Sequence, residues 1–442
     1  MNRKRSLART GTAILAAGLA AGALSACSQN SSAGSSQTGD GTGTINVWAH
    51  QGQDSEIAVM QAAVSSFNSS QSKIKVNLRL ISSDTYTSTI TNTPKDKLPD
   101  VMEMDGPTLA SYVYNQKLSP LKQYVSASTV SNATDGSTAE GTYNGDLYGL
   151  AMYDSGLGLY GNKKLLDAAG VAYPKSAADA WTADQFTTAV KALASKSPAG
   201  KSLDVNESSL GNEWATYAFS PLVESAGGGL IKDNKADGTL NSSASVKALT
   251  TVQGWKPYVD SNADGNAFPN GRVALAWGGH WNYPTYSKAL GSDLVALPLP
   301  NFGGGTKTDA GSWTFGISSG TKNGKAAGAF LDALLSDRNV KAMTDANGAP
   351  PATKSALAAD KLYQPGGALA LWGDQLNHAC PATAVTPSCI AVYRPVTPGY
   401  PTITAKFAGA LSAIWGGSDA KTQLDNAAKA IDQAYTDNSN YQ

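Results

Sequence analysis

Cysteine, histidine and charge are all scarce in this chain of 442 residues. Three cysteines exclude a disulfide-framework fold and most thiolate-built metal sites, and three histidines exclude a histidine-rich metal centre. Charged residues make up 15% of the chain, and the 34 Lys+Arg equal the 34 Asp+Glu. There is no basic excess to neutralise phosphates, so nucleic acid is excluded as a partner. Catalytic signatures are missing as well: there is no G-x-S-x-G elbow, no H-E-x-x-H and no P-loop. Two Gly-Gly-Gly runs, at 227–229 and 303–305, lack the flanks of a phosphate cradle and read as turns. Hydrophobic residues are present in quantity, at 41%. The length exceeds one ordinary core of about 100–200 residues, so two or three domains are expected.

The amino terminus divides the charge count. Arg3, Lys4, Arg5 and Arg9 precede an apolar stretch, Thr10 to Leu24, that is too short and too poor in large side chains to span a bilayer. It ends in Leu24-Ser25-Ala26-Cys27, which resembles the lipobox of bacterial lipoproteins. That resemblance implies cleavage before Cys27 and lipid attachment to it, the acyl chains anchoring the protein at about 0.8 kcal/mol per buried methylene. A plain signal peptide cut at Ala26, with Cys27 incidental, is the alternative. Without residues 1–26 the chain has 30 basic and 34 acidic residues, a net charge of −4. Residues 27–43 are a Ser/Gly/Thr-rich tether, roughly 20 Å across as a coil. Cys380 and Cys389 are expected to form a short-loop disulfide outside the cytoplasm; two free buried thiols are the alternative.

Along the body, Thr44–Trp48 and Lys73–Leu80 alternate as strands, and Ile57, Met60, Val64 and Phe67 give helical spacing between them. Residues 99–104 are a third strand, entering Asp105 before another helix. The β-α-β-α-β-α order implies a mostly parallel sheet with helices on its faces. Helices are expected over 163–169, 182–195, 212–226, 243–260, 323–346, 402–415 and 419–437, with Thr182 and Gln185 forming a capping box. Strands are expected over 272–277, 294–297 and 313–318. Asp100 and Glu103 read as strand-end residues meeting solvent, and Trp48 as packed inside.

Four segments carry a resemblance over nearly the full length: INVWAHQG (45–52), LPDVMEMDGPTLASYVYNQKLSPL (98–121), NGDLYGLAMYDSGLGLYGNKKLLDAAG (144–170), and the run from Phe268 to Pro351 with FPNGRVALAWGGHW and GSWTFGISSG. In that order they resemble the extracellular sugar-binding proteins of bacterial ABC importers, the group that includes maltose-binding protein. The resemblance implies an α/β, two-lobed, periplasmic-binding-protein-like fold. Each lobe is then a mostly parallel sheet flanked by helices, with a ligand cleft between the lobes at a hinge. The implied division is residues 1–26 as signal peptide and 27–43 as lipidated Cys27 and tether. Lobe 1 is then 44–153 plus about 317–358, and lobe 2 is 154–316 plus about 359–442.

The implied function is non-enzymatic. A lipid-anchored, extracytoplasmic, monomeric receptor captures a mono- or oligosaccharide without a cofactor or metal and delivers it to the membrane permease subunits. Sugar chemistry asks for flat rings against C–H faces and carboxylates or amides against hydroxyls. Matched position by position, the ligand-binding candidates are His50, Gln51, Asp105, Asp154, Trp281, Trp313, Arg394 and Tyr400. The segment before Asp105 lacks the aromatic found in maltose-binding protein, which argues against a long maltodextrin groove. Two rivals stand. One is a same-fold receptor for a polyamine or peptide. The other is an extracytoplasmic carbohydrate-active enzyme, which would need two carboxylates about 5–10 Å apart across the cleft, with Asp105 and Asp154 the pair to test.

Overall fold

The computed structural model describes residues 39–381 and 385–442. The expected export signal, Cys27 and most of the tether therefore lie outside the described residues. The first strand begins at Gly43, at the end of the expected tether, and runs to Gln51. Its inward residues Ile45, Val47 and Ala49 are buried, as its alternation requires. It pairs in parallel with Ile74–Ser82 on one side and Val101–Asp105 on the other. Beyond Val101–Asp105 lies Trp313–Ser318, returning from far along the chain and antiparallel to it. Leu118–Ser119 and Gly149–Ala151 also pair with that returning strand.

This first sheet is covered on both faces. The helices Asp54–Ser70, Gly324–Leu334 and Asp337–Asn347 contribute Met60, Val64, Phe330, Leu331, Val340 and Met343 to one core. Tyr86, Ile90, Met102, Met104, Leu109 and Tyr112 fill the other. The expected single helix over 323–346 is two, broken where Ser336 takes an extended backbone as N-cap.

A second sheet has the order Leu294–Leu297, Leu157–Asn162, Leu275–Gly279, Leu203–Asp204. Both sheets are mixed, because Trp313–Ser318 in the first and Leu157–Asn162 in the second run against their neighbours. The helices Ala183–Lys196, Glu213–Ser225, Ser243–Gln253, Tyr400–Trp415 and Ala420–Asp437 pack Phe186, Phe219, Leu249, Val252, Phe407 and Ile431 into its larger core. Thr182 and Gln185 form the expected capping box. The helix expected to reach residue 260 stops at Gln253, since Gly254 caps it and Pro257 follows. A small parallel sheet, Thr308–Ala310, Ala391–Tyr393 and Ala379–Pro381, completes the body, with Cys380 and Cys389 joined as a disulfide. Among the described residues no helix is long and apolar enough to cross a membrane.

One close approach fixes the packing of the first core. Gly328 lies in the Gly324–Leu334 helix where an added Cβ would run into the carbonyl oxygen of Tyr124. Ala gains about 1 kcal/mol of helix propensity over Gly, but the clash is with backbone and cannot relax by a rotamer change. Gly328→Ala is therefore expected to be net destabilising, by about 1–3 kcal/mol. A fall in the urea midpoint at unchanged slope is the expected readout.

Candidate ligand-binding seam between the lobes

Three chain segments cross side by side between the two sheets. Tyr153 bridges to Pro351 and Gly156 to Ala310. The Asp154 N–H donates to the Pro350 carbonyl at 2.9 Å, and the Gly311 N–H to the Ser155 carbonyl at 3.2 Å. Side chains from both sheets converge beside these crossings.

Asp105 ends the strand Val101–Asp105 and sits opposite Trp313 in the ladder. Its carboxylate accepts two hydrogen bonds from the Arg394 guanidinium, 3.0 and 2.9 Å long. Arg394 follows the strand Ala391–Tyr393 of the small sheet and is buried. It donates at 2.7 Å to Glu213, in the first turn of the Glu213–Ser225 helix, and lies 4.6 Å over the Tyr217 ring. Tyr400 and Thr404 also donate to Glu213. A carboxylate of the first sheet and one of the second body thus share one guanidinium, in charge-assisted geometry. Asp309 approaches the same guanidinium at 3.7 Å.

The aromatic walls flank this cluster. Trp281 packs edge-on to Trp214 at 6.1 Å and beside Tyr217 at 6.3 Å. Its carbonyl accepts a 2.8 Å hydrogen bond from Gln53, which lies just after the first strand. Trp313 stacks on the His50 ring at 4.0 Å. The Tyr217 hydroxyl donates to Ser155 at a crossing, 2.9 Å away. Asp154 accepts from the Tyr393 hydroxyl at 3.1 Å and from the Ser155 N–H at 2.7 Å. A cavity of about 1290 Å³ adjoins the cluster, with Glu140, Asp154, Tyr363, Tyr393 and Arg394 among its walls. Both Glu140 oxygens accept from the single N–H of Ser312.

Burial sets the electrostatics. Desolvation pushes the Asp309 carboxyl well above its ordinary range, against the pull of Arg394. Glu140 is likewise pushed well up by burial and then by the nearby Asp154, and Asp154 itself is raised by burial. Glu213 is raised by burial, partly offset by Arg394. His280, buried beside Trp281 and bonded through Nδ1 to the Asn347 carbonyl at 3.0 Å, is lowered by burial to about 4.

The family model for bacterial extracellular solute-binding proteins matches residues 62–370. The chain belongs to that family. No curated protein matches it. Among solved structures it is similar to the GacH receptor of Streptomyces glaucescens GLA.O, solved unliganded and with acarbose. That likeness is 22% identity over 90% of this chain and 98% of that one, with a TM-score of 0.70. The ABC substrate-binding protein Lmo0181 from Listeria monocytogenes, in complex with cycloalternan, is 19% identical over 89% and 99%, with a TM-score of 0.74. The sugar-binding protein MalE from Xanthomonas citri is 18% identical over 90% and 98%, with a TM-score of 0.69. These likenesses establish the two-lobed α/β fold of this family member.

Of the eight residues singled out in the sequence, Asp105, Arg394 and Tyr400 join one hydrogen-bonded cluster through Glu213. Trp281 flanks it, and Trp313 adjoins it through its pairing with Asp105. Asp154 stands at a crossing on the cavity wall. His50 is engaged within the first sheet, its Nδ1 2.8 Å from Glu103 and its N–H donating to the same oxygen. Gln51 is exposed, its carbonyl accepting from Ser83.

Two expectations are corrected. Glu103 and Asp100 are buried, because Val101–Asp105 lies in the sheet interior between two strands. Glu103 meets His50, and Asp100 accepts from the Asn46 N–H and the Thr321 hydroxyl. Trp48 is only partly buried, its ring covered by the Arg79 guanidinium at 4.8 Å. Sequence reasoning missed Glu213, Tyr217, Glu140 and Asp309. Glu213 directly follows the N-cap Asn212, where an acidic residue reads as a partner of the helix dipole. Asp309 lies four residues before Trp313, the one positional hint it carried.

His280 gives a pH prediction. Its folded pKa lies below the unfolded value of about 6.5, so the unfolded chain binds the proton first as pH falls. The stability it contributes is present above about 6.5 and is lost toward about 4, on the order of 3 kcal/mol in all. His280→Gln is expected to flatten that part of the profile of unfolding free energy between pH 7 and pH 4, read by urea titration at each pH.

Proposed function

We propose that this family member is the solute-capturing subunit of a carbohydrate ABC importer, anchored by lipid at Cys27 on the extracytoplasmic face. In this reading a monomer closes lobe 1 (44–153 plus about 317–358) on lobe 2 (154–316 plus about 359–442) around a mono- or oligosaccharide. It then passes the solute, unaltered and without a cofactor, to the permease subunits. The observation that carries the reading is the convergence of Asp105 and Glu213, one from each side of the crossings, on a seam flanked by Trp281 and Trp313. Carboxylates accept from sugar hydroxyls, and indole faces cover the ring C–H groups.

The magnitudes suffice. A hydrogen bond to a charged group nets about 1.5–3 kcal/mol, and micromolar affinity needs about 8 kcal/mol. The solved relatives support the substrate class: one was solved with acarbose, one in complex with cycloalternan, and a third is a cyclic α-maltosyl-1,6-maltose binding protein. A binding role, as opposed to a hydrolytic one, is supported by how the two candidate acids are held. Asp105 is clamped by Arg394, and Asp154 by Tyr393 and a peptide N–H.

A thermal-shift screen against a sugar library tests this directly, since a ligand raises apparent stability by RT ln(1 + [L]/Kd). A sugar hit is expected, and recovery of that sugar unchanged after incubation. Silence across sugars with a response to peptides would overturn the carbohydrate reading. Trp281→Ala is expected to weaken the best hit by at least about tenfold, close to 1.4 kcal/mol, measured by calorimetric titration. Unaltered affinity would remove Trp281 from the site.

A further inference from the structure

The carboxyl ends of parallel strands are where an open α/β sheet leaves room for a ligand. In the second sheet Leu203–Asp204 and Leu275–Gly279 run parallel and side by side. The chain leaving the first carries Asp204 and Glu207, and the chain leaving the second carries Trp281. A pocket of about 230 Å³ lies between them, with part of the segment 260–265 as a further wall. All of its walls fall within residues 204–286, so lobe 2 alone builds it. Trp214, Trp277 and Trp281 line it, whereas among the described residues no tryptophan lines the larger cavity. Trp214 and Trp281 are only partly buried and meet edge to face at 6.1 Å, so each keeps part of its ring uncovered.

The polar groups of this pocket are half used. Asp204 accepts the Asn206 N–H at 2.9 Å on one oxygen, and Glu207 accepts the Trp415 indole N–H at 2.7 Å on one oxygen. The second oxygen of each is open to a further donor. The nearby Arg272 guanidinium donates to Asp260 and Asp264 and to neither of these two. Trp277 gives the independent sign of a ligand. It is 3% exposed and lines the pocket, yet its indole N–H has no acceptor. The buried indoles of Trp181, Trp255 and Trp372 each donate to a protein oxygen. A buried donor left unmet is costly, and a hydroxyl held in the pocket meets it.

We propose that this pocket is the anchoring subsite for one pyranose ring of the solute. The C–H faces of the ring lie against Trp214 and Trp281, and its hydroxyls bond Asp204, Glu207 and the Trp277 N–H. The inference rests on the carbohydrate reading and adds to it a place and a size. About 230 Å³ is below the roughly 300–1,000 Å³ of drug-sized ligand pockets, which suits a single ring. Trp281 borders both the pocket and the seam, so the further units of an oligosaccharide lead out along the seam.

The test places the sugar by fluorine resonance. The full chain, labelled with 5-fluorotryptophan, gives one signal for each of its nine tryptophans. Trp214→Phe, Trp277→Phe and Trp281→Phe assign the three of the pocket, and Trp48→Phe assigns a reference in the first sheet. Glucose, galactose, mannose, maltotriose, cellotriose and raffinose are added in turn. A sugar that binds is expected to shift the Trp214, Trp277 and Trp281 signals. Asp204→Asn, which keeps shape and removes charge, is expected to weaken that sugar by about fivefold or more at an unchanged urea midpoint. Glu207→Gln serves in its place if the first variant fails to fold. Trp277→Phe, which keeps a ring and removes the N–H, is expected to weaken it by about threefold or more. Binding that leaves all three signals in place overturns the inference while leaving the carbohydrate reading standing. So does parent affinity in both Asp204→Asn and Glu207→Gln. Silence of all six sugars overturns the inference and the carbohydrate reading together.

Discussion

The guanidinium of Arg394 is the tie on which the arrangement of this protein depends. It holds Asp105 from the end of a first-sheet strand and Glu213 from the start of a second-body helix, and it lies over the Tyr217 ring between them. Each lobe closes its own apolar core, so hydrophobic burial explains why each is folded but not why the two face each other as they do. Across the seam the contacts are polar: Arg394 with its acids, Gln53 to the Trp281 carbonyl, His280 to the Asn347 carbonyl. Polar contacts of this kind are strong when dry and replaceable when wet, which suits the lobe closure proposed above.

The candidate seam was legible in the sequence where a residue type and its place in an element agreed. Asp105 at the exit of an apolar strand, Trp281 after a Gly-Gly strand end, and Arg394 with Tyr400 in the Pro-rich run all reached the seam or its flank. Local signals hold as well: the capping box of Thr182 and Gln185 appears as read. These depend only on neighbours three or four residues away.

What was not legible depended on distant chain. Glu103 and Asp100 look like solvent-facing strand residues until Trp313–Ser318 returns more than 200 residues later to bury the edge they sit on. The same return makes the first sheet mixed. Glu213 reads as a dipole partner in a first helical turn because nothing nearby reveals that Arg394, 181 residues on, will face it. Asp309 and Glu140 are buried acids whose neighbours come from three separate stretches of chain, and local composition carries no trace of that.

The most direct test of Arg394 as the tie is an inter-lobe distance. Spin labels at Ser66→Cys and Lys247→Cys, exposed on a helix of each lobe, are measured by pulsed electron resonance without ligand, in the parent chain and with Arg394→Met. The guanidinium bridge predicts a longer and broader distance distribution once it is removed, because Asp105 and Glu213 are left as unshared like charges across the seam. An unchanged distribution would contradict it and assign the lobe arrangement to the remaining polar contacts.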